Sequence, residues 1–249
     1  MVYAAGGGKR LVGAVEYSDY PAAAREIPLV GSASRLDLER ILALQPDIVI
    51  GWHSGNPPAL LEKLRSLDIK VFVSYPRQLN DIAIELEIYG QIFGSQEIAN
   101  ASANIFRQRL HQLGKRFAFL PTVPVFYQIW HQPLSTIGSK QITNDVIRLC
   151  GGQNIFSHLA TAAPQVSLES VLKANPEVII GSGSSTSMAG EDRRPPWLDE
   201  WRRWPALIAV QRDNLFHINP DLLFRPTPRL LDGTEQLCKQ LQIARSRRP

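Results

Sequence analysis

What this sequence has little of narrows it before any motif is read. Its 249 residues hold only two cysteines and a net charge of +4. No run of about 18 apolar residues is available to span a membrane, so membrane insertion is not expected. No basic stripe is concentrated enough to track a phosphate backbone, so nucleic acid is not an expected partner. Part of the positive charge is the tail Arg245-Ser246-Arg247-Arg248, which reads as a frayed, solvated end. The five histidines, His53, His111, His131, His158 and His217, include no pair at i, i+2 or i, i+4, so a metal cage would need distant partners and no metal site is expected. No Gly-x-Ser-x-Gly elbow occurs. Gly6-Gly7-Gly8 precedes an apparent strand, whereas a phosphate-cradling loop follows a strand and opens a helix, so the triplet reads as a turn. Catalysis therefore has no anchor here, and the chain is not expected to be an enzyme. Cys150 and Cys238 fall near the ends of predicted helices. They suit buried thiols in a reducing compartment or a bridge in an oxidising one.

What is present is a repeat. Leu38-Glu39-Arg40-Ile41-Leu42-Ala43-Leu44-Gln45-Pro46-Asp47-Ile48-Val49-Ile50-Gly51 returns, 130 residues later, as Leu168-Glu169-Ser170-Val171-Leu172-Lys173-Ala174-Asn175-Pro176-Glu177-Val178-Ile179-Ile180-Gly181, with six of fourteen positions identical. Each copy reads as a short helix and then a strand. Asp37 and Ser167 stand where a side-chain oxygen accepts from an unpaired first-turn amide. Pro46 and Pro176 stop the helices and push the preceding residue out of the α region. The apolar, β-branched runs that follow suit parallel strands covered on both faces. Two related α/β lobes are the simplest architecture.

Between the copies the periodicity predicts a helix from Leu79 to about Phe93, then, after Gly94-Ser95, a second from Gln96 to about Phe117. The second would be roughly 33 Å long, enough for a strut joining the lobes. Strands are expected at Arg10 to Val15, Asp47 to Gly51, Lys70 to Tyr75, Pro124 to Trp130, Glu177 to Gly181 and Asn214 to Asn219. Further helices are expected at Asn56 to Ser66, Lys140 to Leu149, Trp197 to Arg203 and Thr227 to Leu241. Ser182 to Pro196, rich in Gly, Ser and Pro, reads as a surface loop.

Aromatic and polar residues gather where predicted strands end, which is where open α/β sheets bind ligands. They are Tyr17-Ser18-Asp19-Tyr20-Pro21, Trp52-His53, Trp130-His131-Gln132-Pro133-Leu134, and the segment from His217 to Arg229 that contains Arg225-Pro226-Thr227-Pro228-Arg229.

These segments, with the block Leu149-Cys150-Gly151-Gly152-Gln153-Asn154-Ile155-Phe156, with Val125-Phe126-Tyr127-Gln128 and with Pro164-Gln165-Val166-Ser167, resemble the periplasmic vitamin B12-binding proteins of ABC importers, a group within the helix-linked (class III) substrate-binding proteins. The Arg-Pro-x-Pro-Arg segment is shared with siderophore and haem binders. Tyr-Ser-Asp-Tyr-Pro, Trp52 and the Cys-Gly-Gly-x-Asn-Ile-Phe block point to cobalamin. The resemblance implies an α/β fold of two Rossmann-like lobes with parallel central sheets, joined by one long helix. The lobes would cover residues 1–94 and 119–249, and the helix 95–118. Cobalamin would be the transported ligand, with no cofactor, and the permease and ATPase of an importer would be the partners of a periplasmic monomer. By the same resemblance Tyr17 and Trp52 match ligand contacts of the first lobe, and Asp221 and Arg225 match polar contacts of the second. Trp130, Leu134 and Phe224 are added from their positions alone. Glu39 and Glu169 match a pair of carboxylates that dock on the permease, although the helix dipole alone would favour a Glu in each first turn. Export makes a Cys150–Cys238 bridge the expected state.

The chain also departs from that group. Ala33 and Ala163 stand where some members carry cleft aromatics. Met1 falls where members already have a first strand behind them, so an upstream signal peptide and strand are expected, and the first lobe reads as lacking its N-terminal strand. The competing readings are a siderophore or haem binder of the same class and a small α/β enzyme using Asp221 and His217.

Overall fold

The computed structural model describes residues 1–117, 119–182 and 194–249. Most of the expected loop from Ser182 to Pro196 lies outside the described residues. The chain divides into two compact units, Met1–Pro76 with Ala83–Asn104 and Arg77–Ile82 with Ile105–Pro249.

In the first unit, α1 (Leu38–Ala43) leads to β1 (Val49–Trp52), and α2 (Pro58–Arg65) leads to β2 (Val71–Ser74). Asp37 caps α1 as its sequence position requires, its Oδ1 accepting from the Arg40 N–H at 3.0 Å. β1 and β2 pair in parallel, Val49 opposite Val71 and Trp52 opposite Ser74. Val30, Ile41, Leu64 and Ile69 form the core beneath them. The expected strand from Arg10 to Val15 is not formed. One isolated parallel bridge, Ala14 to Leu29, stands in its place. Gly13 inside the run and Pro28 on the facing segment, which has no N–H to offer, both work against a longer ladder.

Helices α3 (Leu79–Phe93) and α4 (Gln96–Phe117) have the expected bounds, and the division between the units crosses both of them. The second unit holds β3 (Val123–Trp130), β4 (Ser135–Thr136), α5 (Thr143–Leu149), β5 (Gly152–Asn154), α6 (Leu168–Ala174), β6 (Val178–Gly181), α7 (Ile208–Gln211), β7 (Leu215–His217), α8 (Pro220–Leu223) and α9 (Leu230–Ser246). The helix expected at Trp197 to Arg203 is a 3₁₀ helix, Pro196–Arg203. Its five-stranded sheet runs β4-β3-β6-β7, with β5 sharing the outer edge of β3. The sheet is mixed rather than purely parallel, because β4 turns back antiparallel on β3.

The repeat is legible in the backbone. Ser167 caps α6, its Oγ accepting from the Ser170 N–H at 3.1 Å, as Asp37 caps α1. Gln45 and Asn175, matching positions before the two prolines, both take left-handed φ values, +46° and +42°. The helices thus end in left-handed caps rather than in the extended residue that a following proline favours. Asn175 suits that conformation, and its Oδ1 also accepts from the Ile208 N–H at 3.0 Å. The two strands differ in burial: β6 is buried along its whole length, whereas β1, with β2 as its strand partner, is covered only in part.

Two cross-links tie the far end of the chain to this sheet. Cys150, at the end of α5, and Cys238, inside α9, form a disulfide. The arginine tail is docked rather than frayed. Arg245 donates to the carbonyls of Pro121, Cys150 and Gly151, and Arg247 to that of Asp213. Arg248 holds both oxygens of the largely buried Glu177 at 2.8 and 2.9 Å and the Thr122 carbonyl at 2.6 Å. Carbonyls where strands begin attract these donors, a tertiary effect that local charge pattern does not reveal. Arg248→Ala is expected to lower stability by about 1–3 kcal/mol, discounted for the partial exposure of the arginine. Urea unfolding checks this, and a change near zero would return the tail to the frayed reading.

Candidate ligand-binding edges

The first unit presents its candidate residues at the carboxyl ends of its strands. Trp52, the last residue of β1, is 43% exposed. Its backbone N–H donates to Asn56 Oδ1 at 2.6 Å, and Asn56 Nδ2 donates to the Ala33 carbonyl at 2.6 Å. One side-chain amide therefore ties the strand end to the neighbouring loop. The indole lies against Gly55, where a Cβ would come within 1.9 Å of the ring, so only glycine admits this packing. Tyr17 follows the Ala14–Leu29 bridge, and the Glu16 N–H donates to the Gly31 carbonyl at 2.8 Å. These links bring Tyr17, Ala33 and Trp52 to one edge. Tyr17 is 80% exposed and has φ +66°, a strained conformation for a non-glycine residue of the kind that gathers at functional sites.

Two residues beside Trp52 complete this edge. His53 continues β1, its N–H donating to the Ser74 carbonyl at 3.0 Å, and its ring lies 3.9 Å, centroid to centroid, from that of Tyr75. His53 was visible as a strand-end residue. Tyr75 was not singled out, although it ends a predicted strand adjacent to that of Trp52.

In the second unit Trp130 and Leu134 follow β3, while Asp221, Phe224 and Arg225 follow β7, two strands away in the sheet. Trp130 is 51% exposed, and its Nε1 donates to the Gln132 carbonyl at 3.0 Å. Buried Gln128 steadies the strand end: its Oε1 accepts from Trp201 Nε1 at 2.7 Å and its Nε2 donates to the Trp130 carbonyl at 3.3 Å. Leu134 is half-buried against the core that includes Phe126 and Trp201, so part of its side chain is committed to packing. Asp221 Oδ1 and Arg225 Nε pair at 3.0 Å. Phe224 meets the ring of Tyr127 edge-on at 5.8 Å. Tyr127 is fully buried, which pushes its hydroxyl well above the usual range and keeps it neutral. His217, one of the two residues of the competing enzyme reading, shares a hydrogen bond with the Gly181 carbonyl at 2.8 Å.

Glu39 and Glu169 lie exposed in the first turns of α1 and α6. Neither takes an ion pair among the described residues. No cluster of three or more His, Cys, Asp or Glu that could hold a metal ion occurs among the described residues. No helix of the described residues is long and apolar enough to cross a membrane. Each edge therefore offers rings and a few hydrogen-bonding groups, which suits a broad ligand with a polar rim.

Comparison with known proteins agrees with this chemistry. Residues 1–222 match the periplasmic binding protein family. The chain is 39% identical over 245 residues to a vitamin B12-binding protein of Vibrio cholerae serotype O1, covering 98% of this chain and 86% of that protein. It is 36% identical over 241 residues to the vitamin B12-binding protein of Yersinia pestis, covering 97% and 82%. The crystal structure of the periplasmic vitamin B12-binding protein BtuF of Vibrio cholerae superposes with a TM-score of 0.88 at 39% identity, covering 98% of this chain and 92% of that one. The haem-binding protein HutB of Vibrio cholerae superposes with a TM-score of 0.80 at 24% identity, over 96% and 93%, a likeness of fold. With its two α/β units, its repeated helix-strand element and these matches, the chain belongs to the periplasmic binding protein family.

Proposed function

We propose that this protein captures cobalamin and delivers it to the permease of an ABC importer, as a periplasmic monomer that performs no catalysis. The observation that carries this reading is the 39% identity, spanning 98% of the chain, to a protein named for vitamin B12 binding. The strand-end chemistry supports it. Tyr17 and Trp52 offer flat apolar area to a corrin face, with Trp130 and Phe224 doing the same on the second unit, while Asp221 and Arg225 offer hydrogen bonds to the amide rim. In this reading residues 1–94 and 119–249 act as lobes, and 95–118 is the helix that joins them. The Cys150–Cys238 bridge suits an oxidising compartment.

Exposed Glu39 and Glu169, at matching positions of the repeat, act in this reading as a two-point dock on basic residues of the permease. Uptake of labelled cobalamin by vesicles carrying the cognate importer tests capture and delivery together. Wild-type protein is expected to drive uptake. The variant Glu39→Arg with Glu169→Arg is expected to hold cobalamin within twofold of wild type while uptake falls at least tenfold, since like charges meet at both contacts. Uptake unchanged by the double reversal would remove the docking role.

A further inference from the structure

We propose that His53 and Tyr75 form a further ligand-contact surface that sets this chain's preference among corrinoids, with Glu85 as their positioning residue. The inference rests on the cobalamin reading and extends it to the strand-end residue His53 and to Tyr75 and Glu85, which no motif marks.

The exposed His53 side chain has one ring contact, with Tyr75, and neither ring nitrogen takes a hydrogen bond among the described residues. The two nitrogens of an imidazole so placed are open to hydrogen bonding. The amide side chains on a corrin rim present the complementary pair. Tyr75 is 43% exposed and supplies flat area one residue beyond Ser74, the strand partner of Trp52. Its direction is set from below. Buried Glu85 accepts from the Tyr75 N–H through Oε1 at 2.8 Å and from the Ser74 hydroxyl through Oε2 at 2.6 Å.

A carboxylate is costly to bury, and hydrogen bonds such as these are what make its burial tolerable. The neighbouring strand end is held in the same way, with Asn56 Oδ1 on the Trp52 N–H. Both strand ends thus have their last amide tied by a side chain while their rings face outward. The same edge carries Ala33, whose methyl group offers little contact area. The His53–Tyr75 pair supplies area and polarity one strand over.

Calorimetric titration with cyanocobalamin and with cobinamide, which lacks the lower nucleotide, tests this. Tyr75→Ala is expected to weaken cyanocobalamin binding about tenfold, His53→Ala about five- to tenfold, and Tyr75→Phe less than twofold. At least one of the two alanine variants is expected to change the ratio of the two affinities by threefold or more. Glu85→Gln is expected to weaken binding when Tyr75 is present and to add nothing when it is replaced by alanine, whereas a general structural fault would weaken both backgrounds alike. Melting curves of each variant report folding separately. Tight binding by wild type that stays within twofold in both His53→Ala and Tyr75→Ala would overturn this inference and leave the cobalamin reading standing. No binding by wild type would overturn both.

Discussion

Replacing Cys150 and Cys238 together by alanine is expected to lower the stability of the protein by about 2–4 kcal/mol. The two cysteines are separated by 88 residues, and closing a loop of that size removes on the order of 4–5 kcal/mol of chain entropy from the unfolded state in the simplest treatment. Measured losses for native bridges run lower or similar, at roughly 2–5 kcal/mol. Both sulfurs are buried, so alanine avoids introducing an unpaired hydroxyl. The bridge joins the end of α5 to the middle of α9, the helix that leads into the docked arginine tail. Urea unfolding of the oxidised protein, of the reduced protein and of the alanine pair measures the effect. Reduction and substitution should agree within about 1 kcal/mol. A loss below about 0.5 kcal/mol in both would mean that α9 is held by packing and the tail alone.

Trp52→Ala is expected to weaken cobalamin binding by roughly 50- to 100-fold. A tryptophan presents on the order of 250 Å², and 43% of Trp52 is exposed. Covering that portion contributes about 2.5 kcal/mol at about 25 cal/mol per Å². The indole is already held, against Gly55 and through the Asn56 bond to its backbone, so little rotamer entropy is lost when ligand arrives. Gly55→Ala should act in the same direction by displacing the ring without removing it. A Trp52→Ala protein that melts with wild type and binds within threefold of it would remove Trp52 from the ligand contacts.

Much of this fold is legible in the sequence because its main element is written twice. Asp37 and Ser167 are capping residues at equivalent places, and both cap. The short apolar, β-branched runs after Pro46 and Pro176 are strands of four residues each, as an unbroken apolar pattern of that length suits. The strand-end positions of Trp52 and Trp130 follow from the strand bounds. Other features depend on distant partners and leave no local mark. β4 and β5 are two and three residues long, too short for any periodicity, and exist because β3 offers them an edge. The tail Arg245-Ser246-Arg247-Arg248 carries the charge pattern of a solvated end. It is ordered because Glu177 and several strand-start carbonyls, 34 to 126 residues away in sequence, accept from it. Gln45 and Asn175 were read as leaving the α region, and they do so on the left-handed side, where a capped helix end needs a tight reversal. Tyr75 was missed because its importance comes from the neighbouring strand and from Glu85, ten residues on.

The most direct test of the account is calorimetric titration of the purified protein with cyanocobalamin and, separately, with haem. Cobalamin capture at these strand ends predicts saturable one-to-one binding of cyanocobalamin, weakened by Arg225→Ala as well as by Trp52→Ala, and no saturable binding of haem. Binding of haem alone, or saturable cobalamin binding indifferent to both substitutions, would contradict it.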